Sequence, residues 1–160
     1  MDGYFACPLA SGRNREMALA IVELIERFGH KILDRHVVAE EGKGKEEFCK
    51  NSGISPENFN PQSVRKQDLE WIMRAGFVVL EYMNGSWGGG IEFDHATVIR
   101  ELLGLNQIPI LCLLRAGATP SWMILGIDSK KFPKVWLMEY RDIIDMERII
   151  EHFLKYFCIN

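Results

Sequence analysis

The sequence lacks an excess of basic charge. Its 19 Lys and Arg residues are outnumbered by 22 Asp and Glu residues, and both signs are interspersed along the 160 residues. No basic stripe is present of the kind that releases counterions from a nucleic-acid backbone. This argues against a protein that binds DNA or RNA, and it leaves open a small anionic ligand held by a few local donors.

A long hydrophobic run is also lacking, although 48% of the residues are hydrophobic. The longest uninterrupted apolar segment, Ile108 to Leu114, is too short to cross a bilayer. The first residues do not show the basic and then apolar pattern of a secretory leader. We therefore expect a soluble cytoplasmic protein, with the nucleus as the alternative compartment, and no membrane partner.

Cysteine and histidine are scarce, with four residues of each. The cysteines form no C-x-x-C pair, and Cys7 and Cys112 lie in apolar runs, where a free cysteine behaves as a small hydrophobe. This pattern is typical of a reducing compartment and not of a disulfide scaffold. The histidines have no metal-ligand spacing with one another or with the cysteines, so we expect no metal site.

Internal repeats and low-complexity tracts are absent, and strand-like segments alternate with helix-like ones. Short apolar runs predict strands at Tyr4–Leu9, Lys31–Leu33, Phe77–Leu80, Ile108–Leu114 and Val135–Met138. Helical periodicity and capping residues predict helices from about Asn14 to Gly29, from Ser63 to Arg74, from about Ile91 to Leu103 and from near Asp142 onward. The charged, aperiodic stretch Glu40–Pro61 predicts a long loop, a kind of segment that often forms a lid.

Strands that are apolar throughout and separated by helices indicate a parallel sheet covered on both faces. Right-handed crossovers then predict a single α/β domain over residues 1–160, with a doubly wound, five-stranded parallel sheet of the flavodoxin-like, or Rossmann-like, type. In such sheets, ligands bind beyond the carboxyl ends of the strands. The rim of the predicted site consists of Pro8–Ser11, Arg35–His36, Met83–Gly90 and Arg115–Ser121.

Glu92 ends a glycine-rich segment, Ser86-Trp87-Gly88-Gly89-Gly90-Ile91-Glu92, that follows the third predicted strand. Successive glycines let a backbone pass close to a ligand, and a helix that begins after them points free N–H groups at it. The segment is neither a P-loop nor a G-x-G-x-x-G motif, because no Gly-Lys-Ser/Thr follows and position 93 is Phe. A tight turn without a ligand, followed by a carboxylate stabilised at a helix N-terminus, would also explain it.

Asp68 is the second candidate carboxylate. It shares a face of its predicted helix with Ile72 and Ala75, and an acid on a sheet-facing stripe needs a partner or a function, since burying an unpaired carboxylate is costly. A modest rotation of the helix would instead place Asp68 at the border of the solvated face. Two carboxylates in one pocket are what cleavage of a glycosidic bond requires, one at the anomeric carbon and one for the proton of the leaving group.

Two further rim residues are candidates. Tyr4 opens the first predicted strand and can place its hydroxyl in the pocket, although a half-buried strand aromatic is the ordinary interpretation. His36 follows the second predicted strand, where a polar rim residue without a function is equally ordinary.

Several segments together resemble one enzyme family. Tyr4-Phe5, the string Gln67-Asp68-Leu69-Glu70-Trp71 and the pattern Ser86-x-Gly88-x-Gly90-x-Glu92 are similar to the 2'-deoxynucleoside 5'-phosphate N-hydrolases of the nucleoside 2-deoxyribosyltransferase superfamily. The resemblance extends to Ile110-Leu111-Cys112-Leu113 and to Ser121-x-Met123-Ile124-x-Gly126, and so covers most of the chain. It implies a flavodoxin-like homodimer that needs no cofactor.

The resemblance also implies the reaction and the roles. Glu92 attacks the anomeric carbon, Asp68 handles the leaving base, and Tyr4 orients Glu92. A nucleoside or deoxynucleoside 5'-monophosphate is thereby hydrolysed to free base and sugar phosphate through a glycosyl ester of Glu92. Ser86 matches a serine that binds the 5'-phosphate, and Ser121 matches one that reaches it from the partner subunit. The predicted substrate-binding residues are Ser86, Gly88, Gly90, Ser121 and His36.

Three positions depart from the family pattern. Pro8 and Ala10 stand where the family has a serine and an arginine directed at the phosphate, and Asp94 stands where it has a glycine. The changes leave open a deoxyribosyltransferase that acts on nucleosides, although Ser86 argues against it because the transferases usually have an aspartate there. A non-catalytic nucleotide-binding module is the other alternative, and a pure binder has no need of a nucleophile.

Overall fold

The computed structural model describes residues 1–8, 14–82 and 87–158, with Trp87 described by its backbone only. The strands are Asp2–Ala6 (β1), Lys31–Ile32 (β2), Phe77–Tyr82 (β3), Ile110–Arg115 (β4) and Val135–Tyr140 (β5). The α-helices are Arg15–Arg27 (α1), Gly44–Ser52 (α2), Pro61–Arg74 (α3), Trp87–Asp94 (α4), Arg100–Leu102 (α5), Trp122–Leu125 (α6) and Ile143–Phe157 (α7). Two 3-10 turns, Arg35–Val38 and Pro56–Asn58, and a π-helical segment, His95–Ile99, complete the described elements.

The five strands form one parallel sheet in the order β2-β1-β3-β4-β5. The chain moves outward in one direction to β2 and then crosses β1 to build the other side, so the order reverses between β1 and β3. This is the doubly wound, flavodoxin-like arrangement predicted from the sequence, and the prediction is confirmed. Ligands of such sheets bind at the carboxyl ends of the strands near the reversal point.

Two hydrophobic cores cover the two faces of the sheet. One is shared with α1 and α7, and the other with α2, α3, α4 and α6. Because successive side chains of a strand point to opposite faces, Phe5 of β1 enters the first core, whereas Tyr4 and Ala6 enter the second. The face that holds Tyr4 is therefore also the face covered by the helices that carry Asp68 and Glu92.

The first helix has its predicted start and end, and the last helix has its predicted start. The Asn14 side chain accepts a hydrogen bond from the Met17 backbone N–H at 3.1 Å at the start of α1, and Gly29 follows the helix with a φ of 82°. Asp142 caps α7 by accepting from the Asp145 N–H at 2.9 Å. A side-chain acceptor at the start and a left-handed glycine after the end are local signals, which is why periodicity and capping located them.

The prediction that Ser63 caps the next helix is wrong, because Ser63 is the third residue of the capping box and not its N-cap. The helix α3 begins at Pro61 and its cap is Asn60, whose side chain accepts from the Ser63 N–H at 2.9 Å. Ser63 returns the contact, since its Oγ accepts from the Asn60 N–H at 3.0 Å. Proline fits the first helical position because no intrahelical partner exists for an N–H there. The predicted end at Arg74 is confirmed.

The prediction of a long loop over Glu40–Pro61 is also wrong. This stretch contains the helix α2 and a 3-10 turn, and Gly53 ends α2 in a left-handed conformation with a φ of 73°. The buried side chains Phe48 and Cys49 attach α2 to the second core. Two adjacent apolar residues among charges show little helical periodicity, so tertiary burial decided the helix.

The glycine-rich segment differs from the prediction as well. The helix was expected from about Ile91, but α4 begins at Trp87 and the glycines at 88 to 90 form its first turn. After Glu92 the helix continues into the π-helical segment His95–Ile99, where the Thr97 hydroxyl donates to the Phe93 carbonyl at 2.7 Å. π segments of this kind are often found beside functional sites. No helix within the described ranges is both long and apolar enough to span a membrane.

Candidate active site

Tyr4 and Glu92 meet through a direct hydrogen bond. Tyr4 is 2% exposed, and its hydroxyl donates to Oε1 of Glu92 at 2.8 Å, although 88 residues separate them. Burial first, and then the negative charges of Asp34, Glu92 and Asp68, raise the pKa of the Tyr4 hydroxyl well above its usual value. The hydroxyl therefore keeps its proton and remains a donor to the carboxylate.

Glu92 lies in the second turn of α4, because the helix starts earlier than predicted. Stabilisation of a carboxylate by a helix N-terminus is confined to the first turn, so this alternative no longer explains the residue. The side chain is partly buried, and burial raises the pKa of Glu92, whereas the hydrogen bond from Tyr4 lowers it. Glu92 is thus a shielded carboxylate with one strong donor, the Tyr4 hydroxyl.

Asp68 projects from α3 toward the same site. Its Oδ1 is buried and has no hydrogen-bond partner among the described residues. Burial, followed by the negative charge of Glu92, raises the pKa of Asp68 to about 7. Near neutral pH this carboxyl both holds and releases a proton, which is the property of a general acid that later serves as a base.

Asp34 is a third carboxylic acid of this cluster, and sequence reasoning missed it. It follows β2 and is 0% exposed, and its Oδ1 accepts from the Phe5 backbone N–H at 2.9 Å. Burial, and the charges of Glu92 and Asp68, raise the pKa of Asp34 well above its usual value. An acid directly after an apolar strand, next to the predicted rim residues Arg35–His36, was the available signal.

His36 is placed beside aromatic side chains of α2 and α3. Its ring centroid lies 5.0 Å from that of Phe48 and 5.7 Å from that of Trp71. Burial lowers the pKa of His36 to about 4, so the ring is neutral at physiological pH. Its Nδ1 is buried without a hydrogen-bond partner among the described residues. The structure thus gives His36 a neutral, largely apolar setting, and no hydrogen bond or ring contact among the described residues joins it to Glu92.

The remaining predicted substrate-binding residues that the structure describes are Gly88, Gly90 and Ser121. Gly88 and Gly90 are exposed on the first turn of α4, and an added Cβ at Gly90 would meet no described atom within 4 Å. Ser121 caps α6, where its Oγ accepts from the Met123 N–H at 3.2 Å. Within the described residues of one chain, Ser121 makes no hydrogen bond to Tyr4, Asp68 or Glu92.

Two residues of the phosphate argument, Ser86 and Ala10, lie outside the described residues. Pro8 is buried at the carboxyl end of β1. Asp94 is exposed on α4, two residues after Glu92. Positions two apart point to different sides of a helix, so Asp94 does not add its charge directly beside Glu92.

Within the described residues, no three His, Cys, Asp or Glu side chains are arranged as a metal site requires. The cluster is instead a set of carboxyl groups that differ in their readiness to ionise. A carboxylate oriented by a tyrosine, beside a second carboxyl that titrates near pH 7, is the pair with which glycosidases cleave a bond at an anomeric carbon. The fold and the cluster together define a flavodoxin-like enzyme of the glycosidase class.

The similarity of this chain to known proteins supports the glycosidase class. No family model matches the chain. The human (Homo sapiens) 5-hydroxymethyl-dUMP N-hydrolase is 31% identical over 156 residues, which are 95% of this chain and 78% of that protein. The rat (Rattus norvegicus) 5-hydroxymethyl-dUMP N-hydrolase is 31% identical over 144 residues, 83% of this chain and 74% of that protein. The chain therefore belongs to the family of 5-hydroxymethyl-dUMP N-hydrolases, and it is an N-glycosidase.

A solved structure supports the fold independently. The CMP N-glycosidase of Clostridium botulinum superposes with a TM-score of 0.64 and covers 96% of this chain and 100% of its own, at 13% sequence identity. The family predicted from the sequence is confirmed by the two relatives, and the fold by this structure.

Proposed function

We propose that this enzyme hydrolyses the N-glycosidic bond of a 2'-deoxynucleoside 5'-monophosphate, with Glu92 as the nucleophile and Asp68 as the acid and base. The observation that carries the proposal is the 2.8 Å hydrogen bond from Tyr4 to Glu92 in a cluster where the pKa of Asp68 is raised to about 7. The substrate class follows from the names of the relatives, which act on 5-hydroxymethyl-dUMP.

In the first step, a carboxylate oxygen of Glu92 attacks the anomeric carbon as the bond from that carbon to the base nitrogen breaks. Asp68 transfers its proton to the departing base, so the base leaves neutral and Asp68 becomes a carboxylate. Tyr4 keeps Glu92 ionised and in one orientation, because its hydroxyl is a donor that does not itself titrate near neutral pH.

In the second step, water attacks the anomeric carbon of the glycosyl ester. Asp68, now ionised, takes a proton from that water, and the Glu92 carboxylate leaves with the electron pair of the ester bond. The products are the free base and the sugar phosphate, and both carboxyl groups return to their starting states. One group with a pKa near the working pH is suited to donate in one step and accept in the next.

We propose that the 5'-phosphate is bound by Ser86, by backbone N–H groups of the first turn of α4 and by Ser121 of a second subunit. A hydrogen bond to a charged group contributes roughly 1.5–3 kcal/mol, so two such bonds would favour a monophosphate over its nucleoside by ~10²-fold or more. Pro8 and Ala10 offer no side-chain donor, so we expect a smaller preference than a relative with an arginine there would show.

A second subunit is supported by the surface around Ser121. The next residues on α6, Trp122 and Met123, are 89% and 85% exposed, and Leu125 is 49% exposed. Large apolar side chains exposed together are typical of a protein interface. We therefore propose a homodimer that brings Ser121 to the neighbouring site. The free thiols of Cys49, Cys112 and Cys158 support a reducing compartment, which we take to be the cytoplasm or the nucleus.

The decisive experiment measures free base released from matched pairs of nucleoside and nucleoside 5'-monophosphate, beginning with 5-hydroxymethyl-dUMP and CMP. We expect release from the deoxynucleoside monophosphate, with a higher kcat/KM than for the bare nucleoside. A second base is added in a parallel reaction, since a transferase would convert it into a new nucleoside. A preference for the nucleoside, together with base exchange, would replace the hydrolase by the transferase.

A variant addresses the missing arginine directly. Ala10→Arg should lower the KM for the monophosphate and leave the KM for the nucleoside nearly unchanged, because only the monophosphate carries the anion. Ser86→Ala should raise the KM for the monophosphate. If neither variant changes the ratio of the two kcat/KM values, the phosphate does not bind at this loop.

A further inference from the structure

Asp34 is fully buried at the candidate site and has no part in the two steps proposed above. It is 0% exposed in the turn that follows β2. Oδ1 accepts from the Phe5 N–H at 2.9 Å, whereas Oδ2 is buried without a hydrogen-bond partner among the described residues. A buried carboxyl with an unpaired oxygen lowers stability, so a cost of this kind at a site points to a function.

The contacts of this turn hold β1 on both sides of Tyr4. The Leu33 N–H donates to the Gly3 carbonyl at 2.9 Å, and the Asp34 carboxyl accepts from the N–H of Phe5. The last backbone pair of β1 and β2 is Gly3 with Ile32. The carboxyl therefore supplies an acceptor where β2 has ended, and it extends the ladder by one hydrogen bond. Tyr4 is bracketed by these two contacts.

The groups around Asp34 favour its neutral form. The titratable groups near it are Glu92 of α4, Asp68 of α3 and Tyr4 of β1. Burial first, and then the two negative charges, raise the pKa of Asp34, while the Phe5 N–H lowers it. His36, two residues along the chain, brings no positive charge near neutral pH because burial lowers its pKa to about 4.

We propose that Asp34 is a positioning residue for the reaction under "Proposed function", on which this inference rests. Its neutral carboxyl holds β1 so that the Tyr4 hydroxyl stays aligned with Glu92. The neutral form, which burial favours, adds no negative charge beside the nucleophile. Asp34 acts through Tyr4, so its loss should affect kcat and not substrate binding.

A double-mutant cycle in the full chain tests this action through Tyr4, with 5-hydroxymethyl-dUMP as substrate. Asp34→Ala should lower kcat by about 10-fold or more and leave KM within about threefold of the wild-type value. The reason is that a small displacement of a catalytic group greatly lowers the reaction rate. The same change made on a Tyr4→Phe background should cost much less, because the hydrogen bond to Glu92 is already gone. An Asp34→Ala effect of full size on the Tyr4→Phe background overturns the proposal.

Asp34→Asn is the conservative variant, because its amide oxygen can still accept from the Phe5 N–H and its side chain is uncharged. It should recover most of the kcat lost in Asp34→Ala and leave the pH profile of kcat/KM unshifted. A kcat as low as that of Asp34→Ala, or a shifted profile, would mean that Asp34 acts as a charged group, and the proposal would then be wrong.

Melting temperatures provide a readout that does not depend on turnover. A buried acid whose folded pKa is raised is stabilising below its unfolded pKa, about 4, and that stability is lost as the pH rises toward the folded pKa. The melting temperature of Asp34→Asn minus that of the wild type should therefore increase from pH 5 to pH 9. A difference that decreases over this range contradicts a neutral Asp34. If wild type releases no base, the proposed function fails while this measurement still decides the state of Asp34.

Discussion

The protonation states of Tyr4, Asp68 and Glu92 decide which chemistry the cluster can perform. Tyr4 stays protonated because burial and nearby acids raise its pKa, and its single O–H is directed at Glu92. Asp68 lacks such a donor among the described residues and titrates near pH 7. The Tyr4 hydroxyl, which donates to Glu92 and not to Asp68, thus separates the properties of two carboxyl groups at one site.

Glu92→Gln should abolish base release without unfolding the protein. The amide keeps the shape of the side chain and can still accept from the Tyr4 hydroxyl, but it is not a nucleophile. We expect a loss of kcat of at least about 10²–10⁴-fold, the range typical of a single acid–base group. The measurement is release of base from 5-hydroxymethyl-dUMP, with circular dichroism and melting temperature as checks of the fold.

Glu139→Gln is the matched control, since Glu139 is exposed on β5, away from the cluster. It should retain wild-type turnover. Near wild-type turnover in a well-folded Glu92→Gln protein would remove Glu92 as the nucleophile and, with it, the proposed mechanism.

The pH dependence of kcat/KM follows from Asp68. The first step needs this carboxyl protonated, so kcat/KM should fall above the pKa of about 7, approaching about tenfold per pH unit. Asp68→Asn cannot titrate and should show a rate lower by about 10²-fold or more with no alkaline fall. An alkaline fall that persists in Asp68→Asn would assign the titration to another group.

At the scale of elements, the site depends on where α3 and α4 begin. The Asn60–Ser63 capping box starts α3 and so sets the turn on which Asp68 lies, seven residues before Ala75 ends the helix. In α4 the glycines form the first turn, which moves Glu92 away from the helix end and toward Tyr4. One carboxyl therefore comes from each helix, and both lie near Tyr4 on β1, one of the two strands at the reversal.

Asn60→Ala should destabilise the protein by roughly 0.5–2 kcal/mol, the usual cost of losing an N-cap side chain. Turnover at 25 °C should be little changed, because Asp68 lies two turns further along α3. Gln62→Ala is the control, since Gln62 is exposed in the same first turn. Urea or thermal unfolding of the two variants checks the expectation, and an equal stability of both would mean that the capping box contributes nothing.

At the scale of the whole molecule, one chain joins Ser121 by no hydrogen bond to the acid cluster within the described residues, and it leaves Trp122 and Met123 in solvent. Both facts are explained if α6 lies in an interface with a second copy. A two-fold interface would use the same surface on each subunit and would build two equal sites.

Trp122→Glu should therefore produce a monomer with reduced turnover on the monophosphate. A charge buried in an interface is unfavourable, whereas the same charge in solvent costs little. Ile144→Glu is the control, because Ile144 is 57% exposed on α7, which covers the opposite face of the sheet. Sedimentation velocity and kcat/KM are measured for both, and full activity in a demonstrably monomeric sample rejects the dimer as a requirement.

A mixing experiment tests whether Ser121 crosses the interface. Glu92→Gln and Ser121→Ala proteins, each impaired alone, should regain activity when their subunits exchange, since a mixed dimer then contains one complete site. Mixed samples that show only the average of the two separate activities would place Ser121 in its own subunit's site or outside any site.

Much of the molecule is determined by local sequence. The caps Asn14 and Asp142, the left-handed Gly29 and the apolar strands locate α1, α7 and the sheet, because each signal acts within a few residues. Alternation of strands and helices, with the handedness of crossovers, then predicts a doubly wound parallel sheet, and the observed order is one of its common forms. The residue types at positions 4, 68 and 92 also pointed to one site before any distance was known.

Tertiary structure decided the rest, because burial depends on residues that are distant along the chain. Phe48 and Cys49 make α2 a helix by entering a core that the segment itself does not encode. Asp34 becomes a buried member of the cluster only because β2 stops after Ile32 and leaves the Phe5 N–H to its carboxyl. The sequence by itself determined the five strands, the helices α1, α3 and α7, and the reactive groups Tyr4, Asp68 and Glu92. The helix α2, the burial of Asp34 and the charge of each group were decided by neighbours in space.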